Sequence, residues 1–171
     1  HVTRRPRCGA TSVTQRPVTA VALGEPSGDH PLWSCVPSFF LFGELDHYIT
    51  GGDSEVAALY FYGVIPVELV DNVVPVGPSP VPEPLTMVTY QFLHAGWVHL
   101  LANMLFLWVF ADNIEDAFGP LPFLLFYLAC GVGAALVHAV LAPFSDAPLV
   151  GASGAVGGIM AAYMLLYPRA R

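Results

Sequence analysis

The chain has 171 residues, of which 55% are hydrophobic and only 11% are charged, and its formal net charge is −7. Average soluble domains are about 25% charged, so this composition excludes an ordinary water-soluble fold and predicts an integral membrane protein. The acidic balance argues against nucleic acid as a partner, because nucleic-acid binding needs clustered Lys and Arg. The lipid bilayer is therefore the partner that composition alone predicts.

The pattern of apolar residues divides the chain near residue 50. The beginning of the chain is polar and aperiodic, a composition typical of disorder. Residues 32–50 are apolar but contain Pro37 and Glu44, and a carboxylate at mid-membrane depth costs about 3 kcal/mol. We therefore interpret residues 1–50 as a poorly defined N-terminal region with a weak candidate for a first membrane helix, and residues 51–171 as the membrane domain.

The membrane domain opens with a mixed segment and continues with three apolar ones. Residues 51–84 alternate short apolar runs with Pro, Gly and acids, which predicts an interfacial loop with one short amphipathic helix near 55–62. The segment VVPVGPSPVPEP at 73–84 is a proline-rich connector that cannot continue a helix. Beyond it we predict a helix from about Trp97 to the acidic run at 112–116, a turn at Gly119 and Pro120, a helix over 121–142 and a last apolar helix over 149–167.

These segments give four membrane spans if the first is real, which places both chain ends on one side of the membrane. All six arginines lie near the two ends of the chain, and Lys and Arg mark the cytoplasmic side. We therefore expect a multi-pass protein of a bacterial-type plasma membrane with both ends in the cytoplasm. On this topology His99 and Ser153 both lie toward the outer face.

Ser153 stands in the first turn of the last predicted helix, in the run Gly151-Ala152-Ser153-Gly154. Small residues leave the backbone approachable, and a helix N-terminus offers unpaired N–H groups and the positive end of the helix dipole. A hydroxyl beside such donors has the parts of an oxyanion site. The competing interpretation is a small-residue packing surface, which is common between membrane helices.

His99 and Asn103 lie four residues apart and share one face of their helix. Polar groups at membrane depth usually face the protein interior, so the pair either joins two helices or donates to an oxyanion beside Ser153. His94 lies just upstream, where a capping or loop-pinning role is favoured. A metal site from His94, His99 and His138 fits no zinc spacing, and the acidic run at 112–116 is interpreted as a solvated helix cap.

Three stretches together identify a family. FLHAGWVHLLANMLFLWVFADNIEDAFG, VGASGAVGG and YPRAR, in this order, resemble the rhomboid family of intramembrane serine proteases. The paired signals are His-x-x-x-Asn on one helix and Gly-x-Ser-Gly on a later one. The resemblance runs from about residue 62 to 171. It implies an all-α, rhomboid-like transmembrane helix bundle, of which this chain would hold about four of six helices.

The resemblance also implies roles for individual residues. Ser153 would be the catalytic nucleophile, and His99 and Asn103 would assist the oxyanion site. Supporting positions would be Gly151, Ala152, Gly154 and His94. The family's general base is a histidine on the sixth helix, and its substrates are transmembrane segments of other proteins. No cofactor or metal is implied, and the oligomeric state is not indicated.

Departures from the family pattern bear on activity. The base histidine and its helix are not among these residues, so we expect this fragment alone to be inactive. Gly157, one turn after Ser153, stands where relatives often carry an aromatic residue. The predicted function is intramembrane serine endopeptidase. The alternatives are a catalytically inactive rhomboid-like protein that binds transmembrane clients, and a non-functional fragment.

Overall fold

A computed structural model describes residues 53–71 and 80–168. Their secondary structure consists of helices and short connections. The predicted first membrane helix at 32–50 and the division near residue 50 lie outside the described residues. The elements are α1 (Asp53–Tyr62), α2 (Pro66–Asp71), α3 (Glu83–Thr89), a 3₁₀ turn (Tyr90–Phe92), α4 (Trp97–Phe118), α5 (Pro120–Leu141) and α6 (Ser153–Leu166).

Helices α4 and α5 are the long apolar elements. Each has 22 residues, about 33 Å at 1.5 Å per residue, so both are long and apolar enough to cross a membrane. Gly119 alone separates them, and its φ of 84° is one that glycine adopts without strain. The prediction of a helix start at Trp97 and a turn at Gly119 is confirmed.

Helix α6 begins later than the sequence indicates. Leu149 forms an isolated antiparallel bridge with Val64: the Leu149 N–H donates to the Val64 carbonyl over 2.8 Å, and the reverse bond measures 3.1 Å. This pairing holds residues 149–152 out of the helix. Ser153 is therefore the first residue of α6, and the helix has 14 residues instead of the predicted 19.

The core forms where α6 packs against both α4 and α5. Its centre consists of fully buried apolar side chains from the three helices, among them Leu107, Ile114, Phe123, Tyr127, Val156 and Ile159. On the opposite sides of α4 and α5, large apolar residues are exposed, including Leu101, Leu105, Leu125 and Val137. Such a surface would be costly in water and is compatible with lipid.

The small residues Gly154 and Gly158 bring α6 close to α5. A Cβ atom on Gly154 would overlap the Cβ atom of Ala134, and one on Gly158 would overlap the side chain of Cys130. Helix α5 therefore covers both glycines on this side of α6.

Two further predictions about the helices need correction. The acidic run does not end α4, which continues to Phe118, and Asp112 and Glu115 are buried. Because only Asp116 of these acids is exposed, the interpretation of the run as a solvated cap is wrong. The helix predicted near 55–62 is present as α1, but its apolar residues are not confined to one side, so it is not amphipathic.

Candidate active site

Ser153 is exposed at the N-terminus of α6. The preceding residue, Ala152, is fully buried, and its carbonyl accepts the first intrahelical hydrogen bond, from the Val156 N–H over 2.9 Å. The N–H groups of Ser153, Gly154 and Ala155 therefore have no carbonyl of their own helix to bond. Alanine also offers no side-chain cap, so these donors and the positive end of the helix dipole lie in the same turn as the Ser153 hydroxyl.

The imidazole of His99 lies directly against the backbone of Gly151. A Cβ atom on Gly151 would be 2.5 Å from Cε1 and 2.6 Å from Nε2 of His99, and Gly151 has a φ of 113°. Both the contact and the backbone conformation require glycine at this position. The sequence-predicted residues His99, Gly151 and Ser153 are thus brought to one end of the helix bundle, although they come from α4, a loop and α6.

His94 packs against His99. The two rings meet edge to face with centroids 5.2 Å apart, and His94 is only 4% exposed. Burial, and secondarily the neighbouring His99, lower the pKa of His94 to about 4. His94 is therefore neutral at pH 7, where it supports the ring of His99 as a packing partner.

Asn103 lies one turn further along α4 and is buried. Its side-chain Nδ2 donates to the carbonyl of His99 over 2.9 Å. This bond ties the amide to the backbone of the residue that covers Gly151, and it uses one of the two N–H groups that an asparagine amide carries. The structure thus links Asn103 to the site through His99.

Gly154 lies on the side of α6 that packs against α5. It faces α5, and its missing side chain allows the first turn of α6 to approach Ala134. The open side of α6 is the side that carries Ser153 and Gly157. Both residues are exposed, and within the part of the chain that the structure describes no atom lies within 4 Å of a Cβ atom placed on Gly157. The site is therefore approachable from the Gly157 side.

Tyr90 belongs to this site, although no sequence motif indicates a role for it. Its carbonyl accepts the Gly151 N–H over 2.9 Å, and its hydroxyl donates to the Gly131 carbonyl on α5 over 2.7 Å. Burial raises the pKa of Tyr90 to about 12, so the hydroxyl remains a donor at physiological pH. A tyrosine in an apolar run carries no local signal of such long-range contacts.

Together, the fold and the site define a class of integral membrane protein. Its apolar helices hold an exposed serine at a helix N-terminus, next to a glycine whose backbone contacts a histidine ring. A family model described as the Rhomboid domain matches residues 82–171, slightly more than half of the chain. The chain belongs to the rhomboid family. Its predicted all-α membrane fold class is confirmed.

Proteins from plants, bacteria and animals are similar to this chain. The rhomboid-like protein 11 of Arabidopsis thaliana chloroplasts is 44% identical over 79 residues, the rhomboid protease GluP of Bacillus subtilis 40% over 81, and the mitochondrial presenilin-associated rhomboid-like protein A of Danio rerio 34% over 89. The alignments cover 46%, 47% and 51% of this chain, but only 28%, 15% and 23% of these relatives. The chain thus spans less than a third of the length of these curated relatives. No solved structure matches it.

Proposed function

We propose that this protein acts as an intramembrane serine endopeptidase that cleaves transmembrane segments of other membrane proteins. The observation that carries the proposal is the position of His99 over Gly151, beside the exposed Ser153 at the N-terminus of α6. This arrangement brings a hydroxyl, backbone N–H groups and an imidazole to one end of the bundle, and acyl transfer uses such groups.

In the proposed reaction the Ser153 hydroxyl oxygen attacks the scissile carbonyl and its proton passes to a base. The backbone N–H of Ser153, with His99 and Asn103, stabilises the negative charge on the carbonyl oxygen. The leaving amine takes the proton from the base, and water then hydrolyses the acyl-enzyme. Gly151, Ala152 and Gly154 shape the backbone around the oxyanion, and His94 supports His99.

The base is proposed to be a histidine on a helix that is not among these 171 residues. Helix α5 already covers Gly154 and Gly158, so such a helix would approach α6 over its open side, at Ser153 and Gly157. The absence of a side chain at Gly157 leaves room for a close approach.

The alternative is a catalytically inactive member that binds transmembrane clients. It is supported by the same open side of α6, since small residues also accept a packed helix without chemistry. Among the relatives, GluP of Bacillus subtilis is named a protease, whereas protein 11 of Arabidopsis thaliana is named only rhomboid-like. Cleavage therefore has to be measured. The membrane is proposed to be a bacterial-type plasma membrane, although named relatives also include chloroplast and mitochondrial proteins.

The test is cleavage of a reporter transmembrane segment by the full-length protein in liposomes. Ser153→Ala should lower the cleavage rate at least about 1000-fold, because a nucleophile has no substitute. Ser145→Ala is the matched control: Ser145 lies in the loop before α6, and its hydroxyl accepts a hydrogen bond from the exposed Ala147 N–H, so its removal should leave cleavage intact. Retained cleavage by Ser153→Ala would refute the assignment, whereas client binding without cleavage by the wild type would establish the alternative.

A further inference from the structure

Tyr90 contacts three separate parts of the structure that build the Ser153 end of the bundle. Its carbonyl accepts the N–H of Gly151, and its hydroxyl bonds the Gly131 carbonyl in α5. The same hydroxyl lies against the first turn of α6, 3.4 Å from where a Cβ atom of Gly154 would be. One residue thus connects the loop before Ser153, the helix beside it and the helix that bears it.

The ring of Tyr90 is held firmly. It is only 2% exposed and packs in a small cluster with Val64 and Ala135, with Leu149 at its edge. The hydroxyl fixes the direction of this ring, because a hydrogen bond to one helical carbonyl has a narrow geometry. Since the ring and the carbonyl belong to one residue, fixing the ring on α5 also fixes the carbonyl that holds Gly151.

Gly151 is consequently held from two directions. The Tyr90 carbonyl bonds its N–H, while the imidazole of His99 covers its Cα. A displacement of Gly151 would move Ala152 and the first N–H groups of α6, and small misplacements of catalytic groups slow enzyme reactions by up to about 100-fold.

We propose that Tyr90 is a positioning residue that holds the Gly151 loop against α5 and so aligns the oxyanion donors beside Ser153. The kinetic part of this proposal rests on the proposed function. The structural part, that the Tyr90 hydroxyl immobilises the Gly151 loop, does not depend on catalysis.

The experiment compares Tyr90→Phe with Tyr127→Phe in the full-length protein. Tyr127 provides a matched control, since it is equally buried at 2% exposure and its hydroxyl makes no hydrogen bond within the part of the chain that the structure describes. Both variants lose one buried hydroxyl, but only Tyr90→Phe loses a bond that leads to Gly151.

The first readout is amide hydrogen exchange in peptides spanning residues 149–154. Tyr90→Phe should speed exchange there about fivefold, as the loss of one buried hydrogen bond allows, while Tyr127→Phe leaves it unchanged. Unchanged exchange in Tyr90→Phe, or an equal rise in both variants, would overturn the proposal whether or not the protein is active.

The second readout is cleavage of the reporter segment. Tyr90→Phe should lower kcat about tenfold with KM unchanged, because substrate binding surfaces remain while the oxyanion donors are misaligned. A rise in KM at constant kcat would contradict positioning. If Ser153→Ala cleaves normally, the proposed function fails, and the exchange comparison alone then decides the role of Tyr90 in holding the loop.

Discussion

Two sides of α6 consist of small residues but have different surroundings. On one side Gly154 and Gly158 pack against Ala134 and Cys130 of α5, leaving no room for a Cβ atom. On the other side Ser153 and Gly157 are exposed, and no atom of the described residues lies within 4 Å of a Cβ atom placed on Gly157. Glycine therefore provides close helix packing on the first side and access to a reactive hydroxyl on the second, which composition alone does not distinguish.

After the loss of the nucleophile itself, the largest effect is expected from Gly151→Ala, which disturbs the loop leading to the open side. The new methyl group would displace His99, and the φ of 113° is strained for any L-residue with a side chain. We expect the cleavage rate to fall about 100-fold, measured with the reporter segment. Gly133→Ala is the control, because Gly133 is exposed on α5 and no atom of the described residues lies within 4 Å of a Cβ atom placed on it. An equal loss of cleavage in both variants would contradict the assigned role of Gly151.

A smaller effect is expected on the packed side. Gly154→Ala should lower the free energy of unfolding by about 2 kcal/mol, since added methyl groups in tight cores force neighbours apart. Ala134→Gly removes the atom that the new methyl group meets, so the double variant should recover part of the loss. Thermal unfolding in detergent measures all three proteins, and strictly additive losses would show that the two residues do not touch.

Gly157→Ala is the matched change on the open side. Alanine favours helix over glycine by about 1 kcal/mol, and no neighbour within the described residues opposes the methyl group. The melting temperature should therefore hold or rise slightly, in contrast with Gly154→Ala. A loss as large as that of Gly154→Ala would abolish the distinction between the two sides.

A pH dependence of stability is expected from the buried His94. The pKa of His94 is about 4 in the folded protein against an ordinary value of 6.5, so the unfolded chain binds a proton that the folded chain excludes. The contribution of neutral His94 to the free energy of unfolding should be fully present above pH 6.5. It should fall as the pH drops toward 4, by up to about 2 kcal/mol between pH 7 and 5. The melting temperature should fall more steeply with decreasing pH in the wild type than in His94→Asn. Equal slopes of melting temperature against pH in the two proteins would show that His94 is not the cause.

Much of the fold could be predicted because it depends on local pattern. Apolar length and the Gly119-Pro120 turn located α4 and α5, which begin and end within a few residues of the prediction, apart from the last turns of α4. The start of α6 was misplaced because it depends on Leu149 pairing with Val64, a contact between distant parts of the chain. The burial of the acidic residues likewise depends on tertiary packing that no local pattern reveals.

The candidate site divides in the same way. The spacing of His99 and Asn103 and the run around Ser153 predicted which residues would gather at one end, and the structure brings His99 to Gly151 beside Ser153. The structural role of Tyr90 could not be predicted, because the carbonyl that its hydroxyl bonds on α5 is 41 residues away in sequence. The packing of Gly154 against α5 could not be predicted either, because it depends on where α5 lies in the folded chain.

The most direct test of the central claim is to label the full-length protein with a fluorophosphonate and map the modified residue by peptide mass. The account predicts one adduct, on Ser153, formed faster in the wild type than in Gly151→Ala and absent from Ser153→Ala. An adduct on another serine, or no adduct in a protein that cleaves the reporter segment, would contradict the claim that the open side of α6 carries the nucleophile.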